Sequence, residues 1–430
     1  MFKVGAPVDG QDFIGREEEI HRIVSAMKSG NNISIYGMAR IGKSSIVKEV
    51  IRRAKKENIF EKTPFFFQYR LTQDKNTRYH FFEDLKDFIA DLADKYKGEE
   101  DGIRSVNKLI TRIENSLNEK EVNSERYIRL CEKITELYDN DIWLVLDEMD
   151  YANTAFGSYI QKIREIVNTD RVHVINISRH SLASIFPAYG NGSNYPGVIT
   201  QNFPIIGFSE TDIAAFREHF INKLKMENAT GLWEETLEYA GNVPYFMALL
   251  GNGILESPTA AISDIAKNPY GKYMETLKYW YDSLYSDNML ENTLKYIESE
   301  GKTEATNLRV FGIVRNGSFT VPQFAVYVQE RAAIEQADGL IDDYTKLLPK
   351  IDGLSNQGQA LLQGILRDDK ALKLTDGYLK ELSAMKLKIE CMKALQEKNT
   401  FVKLEPSIEE HNMFVMRLRE INGVFEGLME

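Results

Sequence analysis

Apolar and polar positions follow two different patterns along the first half of the chain. Short continuous apolar runs, typical of buried strands, are separated by longer stretches in which apolar residues recur every three or four positions, as on one side of a helix. Five strands are predicted, at residues 33–36, 65–69, 142–146, 172–177 and within 198–206. Because strands buried on both faces are typical of parallel sheets, the pattern predicts an α/β fold with helices covering a parallel sheet.

The remaining pattern is mainly helical and predicts how the chain is divided. Residues 79–139 have helical periodicity and predict a large helical insertion between the second and third strands. A helix is expected to begin at Ser209, because the sequence Ser-Glu-Thr-Asp resembles a capping box. Asn316-Gly317, within an apolar stretch at 308–324, predicts a β-hairpin, and a hairpin after short helices suggests a winged helix. The predicted domains are an α/β domain at 1–207, a helical lid at 208–255, a winged-helix-like domain at 256–331 and a mostly helical region at 332–430.

The composition fits several packed domains and narrows the class of protein. The chain has 430 residues, of which 43% are hydrophobic and 27% charged. Its formal net charge of −11 argues against a main role in coating nucleic acid or an anionic membrane, although a local basic groove stays open. The sequence shows neither an apolar run near the roughly 20 residues that a bilayer-spanning helix needs nor a secretory signal at its start. Cys131 and Cys391 are far apart and exclude a disulfide framework, so we expect a cytoplasmic protein.

Residues 37–44, Gly-Met-Ala-Arg-Ile-Gly-Lys-Ser, follow the first predicted strand and open a predicted helix. They satisfy the pattern G-x-x-x-x-G-K-[ST] of a phosphate-binding loop, for which a plain glycine turn is the alternative. Glycines let backbone N–H groups point at phosphate oxygens, and the following helix adds its positive end. The lysine supplies a cation for the β- and γ-phosphates, and the serine hydroxyl can ligate Mg²⁺. The candidate nucleotide-binding residues of the loop are Gly37, Arg40, Ile41, Gly42, Lys43, Ser44 and Ser45.

The third predicted strand ends in two acidic residues, Asp147 and Glu148, which could also be an ordinary acidic loop. An acid at the end of a buried parallel strand lies at the edge where α/β sheets bind ligands. Asp147 is therefore a candidate for holding Mg²⁺ together with Ser44, and Glu148 for deprotonating the attacking water. With Lys43 and Glu148 as candidate catalytic residues, the sequence predicts hydrolysis, and the missing Asn-Lys-x-Asp motif favours ATP over GTP.

Over about residues 10–330, the chain resembles STAND-class P-loop ATPases, a group of the AAA+ superfamily often called archaeal-type ATPases. The resemblance depends on five motifs in the same order as in that group. They are Phe13-Ile14-Gly15-Arg16-Glu17-Glu18-Glu19, the phosphate-binding loop, the acidic strand end, Asn176-Ile177-Ser178-Arg179 and Gly241-Asn242-Val243-Pro244. The resemblance implies an AAA+-like P-loop NTPase sheet with a helical lid and a winged-helix-like domain. It also implies ATP or ADP and Mg²⁺ as ligands.

The resemblance further implies roles for residues outside the loop. In the family, the first motif lies against the adenine and ribose, the fourth holds a sensor near the γ-phosphate, and the proline of the fifth touches the base. The residues concerned are Phe13, Ile14 and Arg16 for the nucleoside, Asn176 for the phosphates, Arg179 as a catalytic sensor and Pro244 for the base.

Each of these roles has a structural alternative. Phe13 and Ile14 could pack the first helix on the sheet, and Arg16 could form an ion pair with Glu18 or Glu19. Arg179 could be a surface residue at a strand end, and Pro244 could simply begin a helix.

The resemblance implies a Mg·ATP-dependent molecular switch whose hydrolysis, expected to be slow, drives a conformational change or assembly in bacterial signalling or phage defence. Acidic residues outnumber basic ones across the winged-helix-like segment, so we expect a structural lid there and not a DNA reader. The region 332–430 is expected to bind a partner protein or a second copy of the chain, the alternative being a solvated helix bundle. Two other classes stay open: an origin-recognition-like DNA-binding ATPase, and a nucleotide-binding scaffold with negligible turnover.

Overall fold

The chain folds into two compact units, Met1–Ala325 and Val326–Glu430. The computed structural model describes residues 1–74, 77–96, 98, 100–118, 122–152, 156–186, 195–303, 306–364, 369–397 and 408–429. The C-terminal helical region was predicted to begin at residue 332, which is close to the boundary between the two units. The finer division of residues 1–331 into three domains stays a prediction.

The first unit is built on a five-stranded sheet in which all the strands are parallel. Its strands are β1 Ile33–Tyr36, β2 Phe65–Arg70, β3 Ile142–Asp147, β4 Val172–Ser178 and β5 Gln201–Pro204, in the order β2-β3-β4-β1-β5. The predicted α/β fold and the first four strands are confirmed to within one residue at each end. The fifth strand is shorter than the predicted segment. β1 lies between β4 and β5, so the loop that follows β1 begins at an interior strand of the sheet.

Helices flank the sheet and form the rest of the first unit. In chain order they are α1 Glu17–Lys28, α2 Lys43–Lys56, α3 Thr77–Lys95, α4 Glu100–Asn118, α5 Ser124–Tyr138, α6 Ile160–Val167, α7 Leu182–Ile185, α8 Glu210–Leu224, α9 Ala229–Ala240, α10 Pro244–Glu256, α11 Ile262–Lys267, α12 Lys272–Ser286, α13 Leu290–Glu298 and α14 Thr306–Val310. The predicted helical insertion is confirmed as α3, α4 and α5. Phe81 of α3 is fully buried, and its ring lies 5.6 Å from that of Phe67 in β2. This core supports β3, whose end carries the two acidic residues.

Two local predictions after the sheet are confirmed. At the start of α8, the Ser209 hydroxyl accepts the main-chain N–H of Asp212 at 3.2 Å, and Asp212 Oδ2 accepts that of Ser209 at 3.0 Å, which completes a capping box. The hairpin consists of β6 Val314–Arg315 and β7 Ser318–Phe319. Asn316 and Gly317 form its two-residue turn with φ angles of 50° and 82°, the left-handed pair that suits this connection. The hairpin is shorter than predicted, because α14 ends at residue 310 and a helix begins at residue 322.

The described residues of the second unit are mainly helical, as predicted. Its helices are α15 Pro322–Thr345, which begins in the first unit, α16 Leu348–Gly364, α17 Asp369–Glu397 and α18 Ile408–Met429. Ile351 of α16, Leu382 of α17 and Phe425 of α18 are fully buried in one core. No helix among the described residues is long and apolar enough to span a membrane.

Candidate functional site

The loop between β1 and α2 has the backbone geometry that the glycine spacing predicts. Gly37, Arg40 and Gly42 all have positive φ angles, of 149°, 66° and 108°. A Cβ added to Gly37 would lie 2.3 Å from the main-chain oxygen of Ile205, so only glycine fits there. The loop follows the carboxyl end of β1, at the edge where open α/β sheets bind ligands.

Lys43 points its ammonium group back into this loop. Its Nζ donates hydrogen bonds to the main-chain oxygens of Gly37 and Met38, at 2.8 and 3.0 Å. Burial lowers the pKa of Lys43 to about 8, although the carboxylates of Asp150 and Asp147 favour its charged form. The group is therefore a cation at neutral pH, held by acceptors that an anionic ligand can replace.

Ser44 and Asp147 come together from different elements. The Ser44 hydroxyl donates to Asp147 Oδ2 at 3.0 Å, and Asp147 Oδ1 accepts the main-chain N–H of Glu148 at 2.9 Å. A hydroxyl and a carboxylate oxygen in contact are the hard oxygen donors that Mg²⁺ prefers, so this pair fits the ion. No group of three or more His, Cys, Asp or Glu residues suited to a metal occurs in the part of the chain that the structure describes. A magnesium ion held here would complete its shell with water and phosphate oxygens, as is usual for this ion.

Glu148 follows β3 in a left-handed conformation, with φ 61° and ψ 42°. Non-glycine residues adopt this conformation at a cost, and such residues are concentrated at functional sites. Its carboxylate accepts a hydrogen bond at 3.0 Å from Arg70, the last residue of β2. Because the two side chains are 39% and 74% exposed, the pair adds little stability and mainly orients the carboxylate. The sequence analysis did not identify Arg70.

Arg179 follows β4 beside the loop, where its main-chain oxygen accepts the N–H of Gly37 at 3.2 Å. Its guanidinium donates to the Ser283 hydroxyl in α12 at 2.9 Å. The next residue, His180, lies between two carboxylates: its Nδ1 is 2.6 Å from Asp150 and its Nε2 is 2.8 Å from Asp287. Burial opposes the charged ring, but these two hydrogen bonds raise the pKa of His180 to about 9.

The sequence analysis missed Asp150, His180 and Asp287. Asp150 is the third acidic residue in the sequence Asp-Glu-Met-Asp directly after the third predicted strand, so its position offered a signal. No comparable sequence signal marks Asp287, which is 107 positions from the histidine it contacts.

Arg16 is placed beside the loop, but its guanidinium already has protein partners. It is 2% exposed, forms an ion pair with Glu19 at 2.7 Å, and donates to the main-chain oxygens of Ile206 at 2.6 Å and Ile41 at 3.2 Å. The ion pair with Glu19, which was the structural alternative, is therefore present. Through Ile41, the same side chain also fixes the phosphate-binding loop to the segment after β5.

Asn176 is not brought to the loop, contrary to what the family resemblance implied. Its side chain is fully buried within β4, where the amide oxygen accepts the Tyr195 hydroxyl at 2.9 Å. Its amide nitrogen faces the main-chain oxygen of Ile33 at 3.5 Å. The physical reason is its position inside the strand, two residues before the strand ends, where the side chain completes hydrogen bonds of the core.

The other predicted nucleoside contacts stay predictions. Phe13 and Ile14 are half-buried ahead of α1, and Pro244 is the first residue of α10, as the structural alternative expected. Arg40 places its guanidinium 5.3 Å from the ring centre of Tyr245, which follows that proline. Ser45 accepts the main-chain N–H of Val8 at 3.2 Å through its hydroxyl. The start of the chain and α10 therefore both border the loop.

Comparisons with known proteins bear on the fold of the first unit. The family model of the AAA ATPase domain matches residues 12–175, which include the loop, β3 and most of β4. The structure of the Walker-type ATPase PABY2304 of Pyrococcus abyssi has a similar fold, with a TM-score of 0.51 at 12% sequence identity; the similarity covers 76% of this chain and 99% of that one. No curated protein matches the sequence.

Two further structures are similar at lower scores. ORC2 of Aeropyrum pernix, in ADPNP and ADP complexes, has a TM-score of 0.40 at 10% identity. The similarity covers 57% of this chain and 65% of the ORC2 chain. DnaA of Aquifex aeolicus, bound to AMPPCP, has a TM-score of 0.36 at 13% identity. The similarity covers 90% of this chain and 95% of the DnaA chain. Similarity at these scores is too low to carry an argument. The family match and the strand order support a P-loop ATPase fold of the AAA+ type.

Proposed function

We propose that the protein is a molecular switch that binds Mg·ATP and hydrolyses it slowly. The observation that carries this proposal is the placement of Lys43 inside a glycine loop at the end of β1, with Ser44 in contact with Asp147 at 3.0 Å. A phosphate-binding loop and an acidic strand end are the two parts that P-loop NTPases use to hold a triphosphate.

Each residue of the site has a separate role in the proposed hydrolysis. The ammonium of Lys43 can hold the β- and γ-phosphates, and Ser44 and Asp147 can hold Mg²⁺. When bound, this ion neutralises charge on the phosphate oxygens. Glu148 can orient a water molecule and accept its proton, and Arg70 donates a hydrogen bond to that carboxylate at 3.0 Å.

The binding site is tested by removing the Lys43 ammonium. Lys43→Ala is expected to weaken Mg·ATP binding by at least about tenfold, because charge-assisted hydrogen bonds to phosphate are lost. Lys56→Ala is the matched control, because Lys56 is an exposed lysine at the other end of the same helix. Isothermal titration of both variants measures the effect. Unchanged affinity in Lys43→Ala would refute the site.

Membership of the STAND class and nucleotide-dependent assembly are further parts of the proposal. They are supported by the ordered motifs from Phe13 to Pro244 and by contacts from α10 and α12 onto the loop. Such a switch works only if ATP and ADP bind its two arrangements with different affinities. Mass measurement in solution, with ADP and with a non-hydrolysable ATP analogue, is expected to show different assembly states. The same mass in both would contradict nucleotide-dependent assembly while leaving the binding site in place.

A further inference from the structure

Asp150 connects the segments that follow β3 and β4. Its Oδ2 accepts the main-chain N–H of Arg179 at 2.5 Å, and its Oδ1 accepts the main-chain N–H of His180 at 3.1 Å. The same Oδ1 lies 2.6 Å from the Nδ1 atom of that histidine. Asp150 itself belongs to the turn that begins at Glu148, since the N–H of Tyr151 donates to the Glu148 oxygen at 3.0 Å. One carboxylate therefore fixes the residues after β4 relative to the turn that carries the candidate base.

The other side of His180 contacts helix α12. Its Nε2 atom lies 2.8 Å from Oδ2 of Asp287, the residue directly after that helix. Two residues within α12 also contact the site. The Ser283 hydroxyl accepts a hydrogen bond from Arg179, and Trp280 donates its indole N–H to the main-chain oxygen of Ala39 at 3.1 Å. Helix α12 therefore contacts the phosphate-binding loop through Trp280 and is joined to the residues after β4 through His180.

The contacts of His180 with Asp150 and Asp287 form one bridge, in which both ring nitrogens of the histidine are used. His180, Asp150 and Asp287 are each only 16–17% exposed. A neutral imidazole has a single N–H and can serve one carboxylate, whereas the imidazolium donates to both. Loss of Asp287 removes one of the two acceptors of the charged ring and also the carboxylate 3.7 Å from the Arg179 guanidinium, which is unfavourable at a partly buried site.

We propose that the Asp150–His180–Asp287 bridge couples the nucleotide site to helix α12 and holds this helix over the loop. The inference rests on the proposed function, because it concerns a nucleotide in that loop. While the bridge is intact, Trp280 lies on Ala39, and the main-chain oxygen of Phe311 accepts the N–H of Met38 at 3.3 Å. A nucleotide can leave the loop readily only when this cover moves. The bridge therefore slows nucleotide release, and a ligand that favours the open arrangement would break it.

The coupling is tested by the release of a fluorescent ADP analogue from the full chain in the presence of Mg²⁺. Asp287→Ala is expected to release it at least about tenfold faster, because the charge-assisted bond from His180 that holds α12 in place is lost. Asp282→Ala is the matched control, since Asp282 is an exposed acid of the same helix. Equal release rates in Asp287→Ala and wild type would overturn the coupling.

A second variant separates the bridge from general damage to the fold. His180→Gln breaks the same bridge, so the double variant with Asp287→Ala is expected to release the analogue no faster than the faster single variant. If the double variant accelerates release by the product of the two single accelerations, the two residues do not act through a single bridge. Should Asp287→Ala fail to fold, Asp287→Asn keeps the size of the side chain and removes its charge; a smaller acceleration is then expected, and an unchanged rate overturns the coupling. A wild-type chain that binds no Mg·ADP refutes the proposed function, whereas tight binding with equal release rates refutes the coupling alone.

Discussion

Replacing His180 by glutamine is expected to change how stability depends on pH. Burial and the nearby Arg179 disfavour the charged ring, yet the hydrogen bonds to Asp150 and Asp287 raise the pKa of His180 from 6.5 to about 9. Because the folded-state pKa is the higher one, the histidine stabilises the fold fully at pH values below 6.5. This contribution is lost as the pH rises through about 9.

The size of the effect follows from the shift. One pKa unit corresponds to about 1.4 kcal/mol, so the shift of His180 corresponds to about 3 kcal/mol of unfolding free energy. Since 16% of the side chain remains exposed, solvent screens part of the interaction, and we expect about 2 kcal/mol. Lys43 titrates in the same range with the opposite sign, because burial lowers its pKa to about 8 and the folded chain gains stability once it is neutral. Because both proteins contain Lys43, its contribution cancels when the unfolding free energy of His180→Gln is subtracted from that of the wild type.

Urea unfolding followed by tryptophan fluorescence measures the difference. All 3 tryptophans lie in the first unit, so the signal reports the unit that contains the bridge and not residues 326–430. Between about pH 6 and about pH 9.5, the wild type is expected to lose about 2 kcal/mol of unfolding free energy relative to His180→Gln. Parallel pH profiles of the two proteins would refute the reasoning, because the bridge would then add no pH-dependent stability.

Three further substitutions test other parts of the account. Glu148→Gln is expected to retain ATP binding and to lower phosphate release by about 100-fold or more, because the base is lost. Equal phosphate release from both proteins would show that Glu148 is not the base, and negligible release from both would favour a nucleotide-binding scaffold. Gly37→Ala is expected to abolish ATP binding, because its Cβ would meet the Ile205 oxygen at 2.3 Å, and binding that persists in a titration would contradict this. Ser209→Ala is expected to destabilise the first unit by about 1 kcal/mol through loss of the cap of α8, measured by the same urea unfolding, and an unchanged midpoint would contradict this.

The sheet and the loop were predictable because their signals are local. A strand that is buried on both faces needs continuous apolar residues, so 33–36 and 142–146 were recognisable without any knowledge of their neighbours. The phosphate-binding loop is likewise defined within eight consecutive residues, whose glycines meet a backbone requirement that no other residue satisfies. The turn at Asn316-Gly317 was predictable for the same reason.

Contacts between distant residues were not predictable. Arg70 and Glu148 are 78 positions apart, and Arg16 reaches the Ile206 oxygen across 190 positions, although its ion pair with Glu19 followed from helical spacing. The burial of Asn176 depends on Tyr195, which completes its hydrogen bonds in the core. Apolar spacing over 308–310 fits a strand and a helical turn equally well, and the structure has the helical turn of α14.

The proposed function requires a triphosphate to bind in the loop between β1 and α2. A crystal structure of the wild-type chain grown with Mg²⁺ and a non-hydrolysable ATP analogue tests it most directly. The account predicts that Lys43 exchanges its bonds with the Gly37 and Met38 oxygens for bonds with phosphate oxygens, with the metal beside Ser44 and Asp147. A fully occupied analogue bound elsewhere, or a loop still closed on Lys43 at saturating nucleotide, would contradict the account.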